Sequence, residues 1–310
     1  MPENETVRQH YVPRTYLKHF SIKKNEEYFI KALPTADCKE ENIFEPNIAN
    51  ICLEKDLYTL PGKTAKQRMF IENFYSDNYE NHYDHIYSIL TDPERQNLSI
   101  QERQLVISTV VTMLYRTKKW VTQHNTLVNN ILECMFSQCQ QNNKDYFFLE
   151  KEKVFIKGKT IEQIKKEFKT ESRPAQALTQ LDVAIRLLEI RSIRDAILVL
   201  RLEDDNDEFI TSDNPVIYAN INGGHAAPFD PSNILKLPLD NKHILSLMPY
   251  SDESTKHLLL RKNLTGAMCF AKKIASNYEQ FCNSERFILG TNSALKEYLQ
   301  NKEATELPLI

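Results

Sequence analysis

Three groups of residues in this 310-residue chain carry side chains suited to chemistry. The first is His10 with Arg14, spaced to share one face of a helix if that helix begins near His10. A histidine exchanges a proton near neutral pH, and an arginine fork matches a phosphate or a carboxylate. A plainer account makes His10 a helix cap and Arg14 the surface partner of an acid. The second group is Thr211-Ser212-Asp213-Asn214-Pro215-Val216, a run of hydrogen-bonding side chains stopped by a proline. At a strand end such a run presents a carboxylate or amide to a ligand on a rigid frame, or closes the strand as an Asx-type turn. The third is Arg116, which directly follows the apolar run 105–115.

Gathered in one cleft, these residues would make a hydrolase for a phosphodiester or a nucleotide. His10 would be general acid or base, and Asp213 an orienting carboxylate or metal ligand. Arg14 and Arg116 would hold the anion, with Ser212 and Asn214 beside it. Sealed from solvent, the same polar groups would instead lock the N-terminal helix to a sheet, as in a sensor or interaction module. Glu72, Glu80, His82, Asp84 and His85 fall on one predicted helix, where His82 and His85 have a spacing able to hold a divalent metal or simply form a solvated face. Asn222-Gly223-Gly224-His225, with Asp230 beyond, is either a lid or a long connection.

Composition narrows the function classes. The six glycines include a single adjacent pair, so the spaced glycines of a phosphate-cradling loop are missing, and with them any nucleotide-cofactor motif. Six scattered cysteines form no CxxC pair, which fits reduced thiols. A net charge of -3 predicts no chain-wide attraction to nucleic acid. Positive charge concentrates between 151 and 169, where Lys151, Lys153, Lys157, Lys159, Lys165, Lys166 and Lys169 stand against three glutamates; any nucleic acid contact is expected there. Residues 1–11 lack an apolar run of signal length and no later window suits a membrane span, so a cytoplasmic location without membrane contact is expected.

The elements that must position these groups read as an α+β fold, with a largely helical first half and an antiparallel sheet in the second. The chain is expected to form one compact domain, with 1–195 and 196–310 as its alternative subdivision. Pro13 suits a first helical turn, followed by Tyr16, Leu17 and Phe20 at helical spacing. A helix is predicted over 67–90. Ser99-Ile100-Gln101-Glu102 is a capping box opening another, and Thr160 to Gln163 resembles a second box, with helical patterning from 174 to 193. Strands are predicted at 27–33, 51–60, 196–202 and 209–212, the last two joined as a hairpin by the acidic stretch 203–208. More follow at 216–221, 235–239, 243–248, 257–260 and 286–289. A helix is expected over 266–281 and a loose tail from 296.

The HYVPRTYLKHF opening, FITSDNPV at 209–216 and the LPL segment at 237–239 resemble the bacterial family of domain of unknown function 4238. In that family a His-Pro element, an arginine after an apolar helix and a Ser-Asp-Asn-Pro element recur in this order. The matching positions are His10 and Pro13, Arg116, and Ser212, Asp213, Asn214 and Pro215. The family usually continues Arg-Thr-Pro, whereas Lys118 stands here where that proline would be. The resemblance singles out residues and implies no particular reaction; a defence or toxin-like role is the expectation for a family of this kind.

Overall fold

The computed structural model describes residues 8–149, 152–221, 223, 226–227, 229–249 and 257–306, leaving aside the side chains of 124, 127, 152, 169–175 and 303–306. His225, Lys151 and the Lys169 side chain therefore lie outside the described residues. The chain opens with strand β1 (Arg8–His10), antiparallel to β5 (Leu53–Lys55), with His10 opposite Leu53. Helix α1 (Arg14–Leu17) starts only after Pro13, whose carbonyl accepts from the backbone N–H groups of Tyr16 and Leu17, and it runs on as a 3₁₀ turn, Lys18–Phe20. His10 and Arg14 thus do not share a helix: Pro13 is extended, with ψ of 139°, which separates strand from helix. Tyr16, Leu17 and Phe20 point into the core as their spacing predicts.

Strands β2 (Ile22–Lys24) and β3 (Glu27–Phe29) form a hairpin whose turn residues Asn25 and Glu26 both have positive φ, the backbone a two-residue turn demands. Strand β4 (Lys31–Pro34) follows. The predicted helix over 67–90 is broken into α2 (Ala65–Arg68), α3 (Phe70–Asn78) and α4 (Tyr83–Thr91), with a 3₁₀ turn at Glu80–His82. Helix α5 (Ile100–Tyr115) begins at the predicted capping box, Ser99 and Glu102 each accepting from the other's backbone N–H. Every residue from 106 to 115 is buried, as an apolar circumference requires.

Helix α6 (Lys118–Gln141), the hairpin of β6 (Tyr146–Leu149) and β7 (Glu152–Phe155), and the start of α7 (Ile161–Arg194) enclose a small apolar cluster around Leu132, Phe147 and Ile164. The Thr160 box opens α7, which continues through Pro174 as one helix. At its end Arg191 and Asp195 form a fully buried ion pair at 2.6 Å, and Arg191 also donates to the carbonyls of Pro231 and Asn233, tying α7 to the sheet.

The main sheet contains β8 (Asp195–Leu202), β10 (Ile217–Ala219), β11 (Ile234–Pro238), β12 (His243–Pro249) and β13 (Leu259–Leu264), in the order β10-β11-β12-β8-β13. Its pairs are antiparallel except β13 with β8: the chain passes from β12 to the far side of β8, so β13 runs beside it in the same direction and the sheet is mixed. Strand β9 (Thr211–Ser212) does not form the expected hairpin with β8. It joins β4 and β14 (Phe287–Gly290) in a second small sheet. Helix α8 (Gly266–Asn283) lies between them in sequence. The expected loose tail is instead α9 (Asn292–Glu306), because Ala294, Leu295, Tyr298 and Leu299 give it an apolar face that packs on Leu33, Ile210 and Ile288. The largest core joins both halves, with Tyr16, Val106, Ile197 and Leu247 in one cluster. Among the described residues no helix is long and apolar enough to cross a membrane.

Candidate functional site

Arg116 is delivered to the interior as the C-cap of α5, and its side chain is only 2% exposed. Its Nη2 donates to the carbonyl oxygen of His10 at 2.7 Å and meets Glu80 Oε1 at 2.8 Å. The guanidinium carbon lies 4.5 Å from the centre of the Tyr75 ring and 5.8 Å from that of Tyr58, and the Tyr58 hydroxyl donates back to the Arg116 carbonyl. Burial works against the charge, yet Glu80, Tyr58, Tyr75 and Glu72 outweigh it and keep the group firmly protonated. Lys118 takes the first position of α6, where a proline is also readily housed, and its Nζ reaches Glu54 at 2.9 Å.

Around this guanidinium the polar groups are poorly matched. Burial pushes the Glu72 carboxyl up to about 7, against the pull of Arg116 and with the help of Glu80. Burial, then Arg14, lowers His10 to about 4 although Glu80 and the Ile48 backbone favour its charge, so the imidazole is neutral at pH 7. His10 Nε2, Glu72 Oε2 and Arg116 Nε are buried with no hydrogen-bond partner among the described residues. Arg14 is exposed at the start of α1, within electrostatic reach of His10. The break at 80–82 makes this arrangement: Glu72 comes from α3 and Glu80 from the turn that redirects the chain.

The Ser212-Asp213-Asn214-Pro215 element is built differently. Asp213 is 1% exposed, and its two carboxylate oxygens accept from the backbone N–H groups of Glu285 at 2.9 Å and Arg286 at 3.0 Å. Burial raises its carboxyl to about 6 while these amides and that of Phe287 oppose the shift. Ser212 Oγ donates to Gln280 Oε1 at 2.7 Å, and Gln280 Nε2 donates to the Pro215 carbonyl at 2.8 Å. Asn214 Nδ2 donates to the Asn283 carbonyl at 3.1 Å, while Asn283 Nδ2 donates to those of Asn214 at 2.7 Å and Val216 at 3.1 Å. The element is latched to the end of α8.

The two groups meet through the opening motif. The charge of Asp213 is felt by Tyr11, the neighbour of His10, and by Cys52, whose carbonyl accepts from the Tyr11 N–H. One helical turn on, the Tyr16 hydroxyl bonds Thr211 Oγ1 at 2.5 Å and donates to the Pro238 carbonyl of the LPL segment at 2.9 Å. Asp213 makes no hydrogen bond to His10 or Arg116, so the set divides into a cluster of His10, Arg14 and Arg116 and a latch of Ser212, Asp213 and Asn214.

Other expected features separate. Asp84 pairs with Lys18 at 2.8 Å and His19 at 3.1 Å rather than joining His82 and His85 around a metal. Among the described residues the group with ligand-like spacing is Asp204, Asp207 and Cys269, and the buried Lys273 is paired with Asp207 there. In the basic strip Lys157 pairs with Asp145, Lys159 with Glu167, and Lys165 with Glu133 and Glu162, while Lys153 sits 3.7 Å above the Tyr146 ring. Acids within the strip, Glu162 and Glu167, and outside it, Asp145 and Glu133, thus pair with three of its lysines.

Sequence reasoning placed Glu72 and Glu80 with His82, Asp84 and His85 on one helix, as a metal site or a solvated face, and missed them as companions of Arg116. It missed Asp240 and His243 altogether, although their Asp-Asn-Lys-His spacing across a tight turn is a signal of a pair able to meet. What emerges is an α+β protein in which the opening motif bridges a buried arginine of the first half and a latched Ser-Asp-Asn-Pro element of the second. The chain belongs to the family described as Protein of unknown function (DUF4238), whose profile matches residues 8–294. No curated protein and no solved structure matches the chain.

Proposed function

We propose that this protein is a hydrolase of phosphodiesters or nucleotides that works through the His10, Arg14, Glu72 and Arg116 cluster in the bacterial cytoplasm, in a defence or toxin-like role. The observation that carries this reading is Glu72, a carboxyl titrating near neutrality with an unpartnered oxygen beside a permanently charged guanidinium. A group that both holds and releases a proton near pH 7 is what general acid–base chemistry requires. Neutral His10 offers Nε2 as acceptor for a water or hydroxyl, and exposed Arg14 receives the anionic ester. Arg116 and Glu80 are positioning residues, since the guanidinium is committed to His10, Glu80 and two rings. Ser212, Asp213 and Asn214 hold the frame from behind.

The test is hydrolysis of single-stranded DNA, RNA, bis-(p-nitrophenyl) phosphate and nucleoside triphosphates, with and without magnesium or manganese. Glu72→Gln should lower the rate by roughly 10²–10⁴-fold. Arg14→Gln should chiefly raise KM. Absence of turnover on every substrate would favour the second reading, a non-enzymatic sensor or interaction module. That reading draws on Asp213, sealed at 1% exposure with both oxygens on backbone amides.

A further inference from the structure

A second constellation lies on the main sheet. Leu237-Pro238-Leu239 ends β11, and the turn to β12 places Asp240 three residues before His243. Asp240 Oδ1 accepts from the backbone N–H groups of Lys242 and His243, both at 2.7 Å, and Oδ2 accepts from the Tyr87 hydroxyl at 2.6 Å. The His243 Nδ1 lies 3.0 and 2.9 Å from the two oxygens. A ring nitrogen facing a carboxylate carries the proton, so His243 is held with Nδ1–H on Asp240 and Nε2 as its free nitrogen. Burial alone would raise the Asp240 carboxyl, but His243, Tyr87 and the turn amides hold it below the usual range, a fixed anchor.

Strand register decides what stands beside this ring. His243 is directly opposite Arg201 of β8, and Arg201 is opposite Asn263 of β13; one step along the same face, Val199 is opposite Arg261. Partners across a sheet project to the same side, so the row reads His243, Arg201, Asn263, with Arg261 diagonal to Arg201. These residues line a cleft of about 600 Å³, with Val199 and Pro93 as its apolar wall, and no carboxylate is among its described lining. Arg261 is pinned by backbone carbonyls, donating to Ile89 and Leu90 at the end of α4 and to Arg95. Arg201 meets Glu203 at only 3.4 Å and stays 46% exposed.

Two guanidiniums on neighbouring positions of one sheet face, with Glu203 only loosely beside one of them, make a positive row that an anion would stabilise. The cleft's size lies within the range of small-molecule sites, about 300–1,000 Å³, and exceeds what an inorganic ion fills. We propose that this cleft binds the phosphate of a nucleotide-sized phosphate monoester, with Arg201 and Asn263 donating to its oxygens, His243 Nε2 accepting from its P–OH, and Arg261 supplying fixed positive charge. The contacting groups come from three strands, which gives them the divergent directions a tetrahedral phosphate accepts and a planar carboxylate does not. This site shares no residue with the Arg116 cluster, so it stands or falls separately.

The test is nuclear magnetic resonance of the histidine rings of the whole chain, with the His243 signal identified by its loss in His243→Gln. Adenosine 5′-monophosphate, inorganic phosphate and adenosine are titrated in turn. The His243 resonance should move with the monophosphate and more weakly with phosphate, and stay still with adenosine. Arg201→Gln should weaken the monophosphate at least roughly tenfold. Asn263→Asp, at an exposed position with little cost to folding, should abolish binding by placing a carboxylate in the row. An unmoved His243 signal, adenosine binding as well as its monophosphate, or unchanged affinity in Asn263→Asp would each overturn the proposal.

Discussion

The Arg116 cluster and the Asp213 latch are both assembled from the motifs that mark this family, yet their polar groups are treated in opposite ways. In the latch donors face acceptors: both Asp213 oxygens, the Ser212 hydroxyl and the Gln280 and Asn283 amides are engaged, with Asn214 Oδ1 the exception. Around Arg116, His10 Nε2, Glu72 Oε2 and Arg116 Nε lack partners among the described residues; burial displaces His10 and Glu72 as it does Asp213, but only Asp213 has both oxygens engaged. Matched buried groups make a rigid joint, whereas unmatched ones carry a cost the fold would shed if they had no other use. On the proposed function, the latch is structural and the Arg116 cluster carries the chemistry.

Breaking the cluster at its centre should have the largest effect. Arg116→Met leaves Glu80 and the His10 carbonyl without their donor, and loss of one partner of a buried ion pair costs roughly 3–5 kcal/mol. Denaturant unfolding should show it as a lower midpoint at unchanged slope. Breaking the latch should cost less. In Asp213→Asn an NH₂ replaces one oxygen and is set against a backbone N–H, so a buried donor loses its acceptor, at about 1–3 kcal/mol. Activity per folded molecule should be unchanged. A large fall in turnover with no loss of stability would move Asp213 from the frame to the chemistry.

Local features of this fold were readable in the sequence and long-range ones were not. The capping boxes at Ser99 and Thr160 were legible because their bonds span three residues. The breaks were harder: the 67–90 segment is apolar enough to read as one helix, and only the packing of Tyr75 and Tyr83 against different neighbours reveals the turn between them. His10 meeting Arg116 crosses 106 positions, and no spacing rule reaches so far. Family motifs singled out His10, Arg116 and Ser212 to Pro215, which the fold buries or latches, but gave them no roles. Whether Asp213 faces a ligand or the backbone is set by residues 285–287, which carry no signature of their own. The Asp240–His243 pair was local yet lost, since a turn Asp is common and its aim at the following ring is a matter of backbone geometry.

The smallest expected effect is also the sharpest test of the contrast, because its sign changes with the interpretation. Glu72 has a folded pKa of about 7 against an ordinary 4.5, so below pH 4.5 it is protonated in both states and contributes no strain. As pH rises toward 7 the unfolded chain ionises first, and stability is lost through that window. Glu72→Gln removes the penalty: the variant should match the parent near pH 4 and exceed it above pH 7, by something on the order of 1–2 kcal/mol. His10 has the opposite slope, since its pKa of about 4 lies below the ordinary 6.5 and its stability is lost as pH falls through that interval. In the parent the two slopes oppose each other between pH 4.5 and 6.5; Asp213 and Asp195, also raised to about 6, act in both proteins, so it is the difference between parent and Glu72→Gln that isolates the Glu72 slope. Denaturant unfolding of both proteins from pH 4 to pH 8 measures all of this without a substrate. If Glu72 were simply another ion partner of Arg116, Glu72→Gln would be less stable than the parent at pH 8, and the cluster would be a second joint rather than a site.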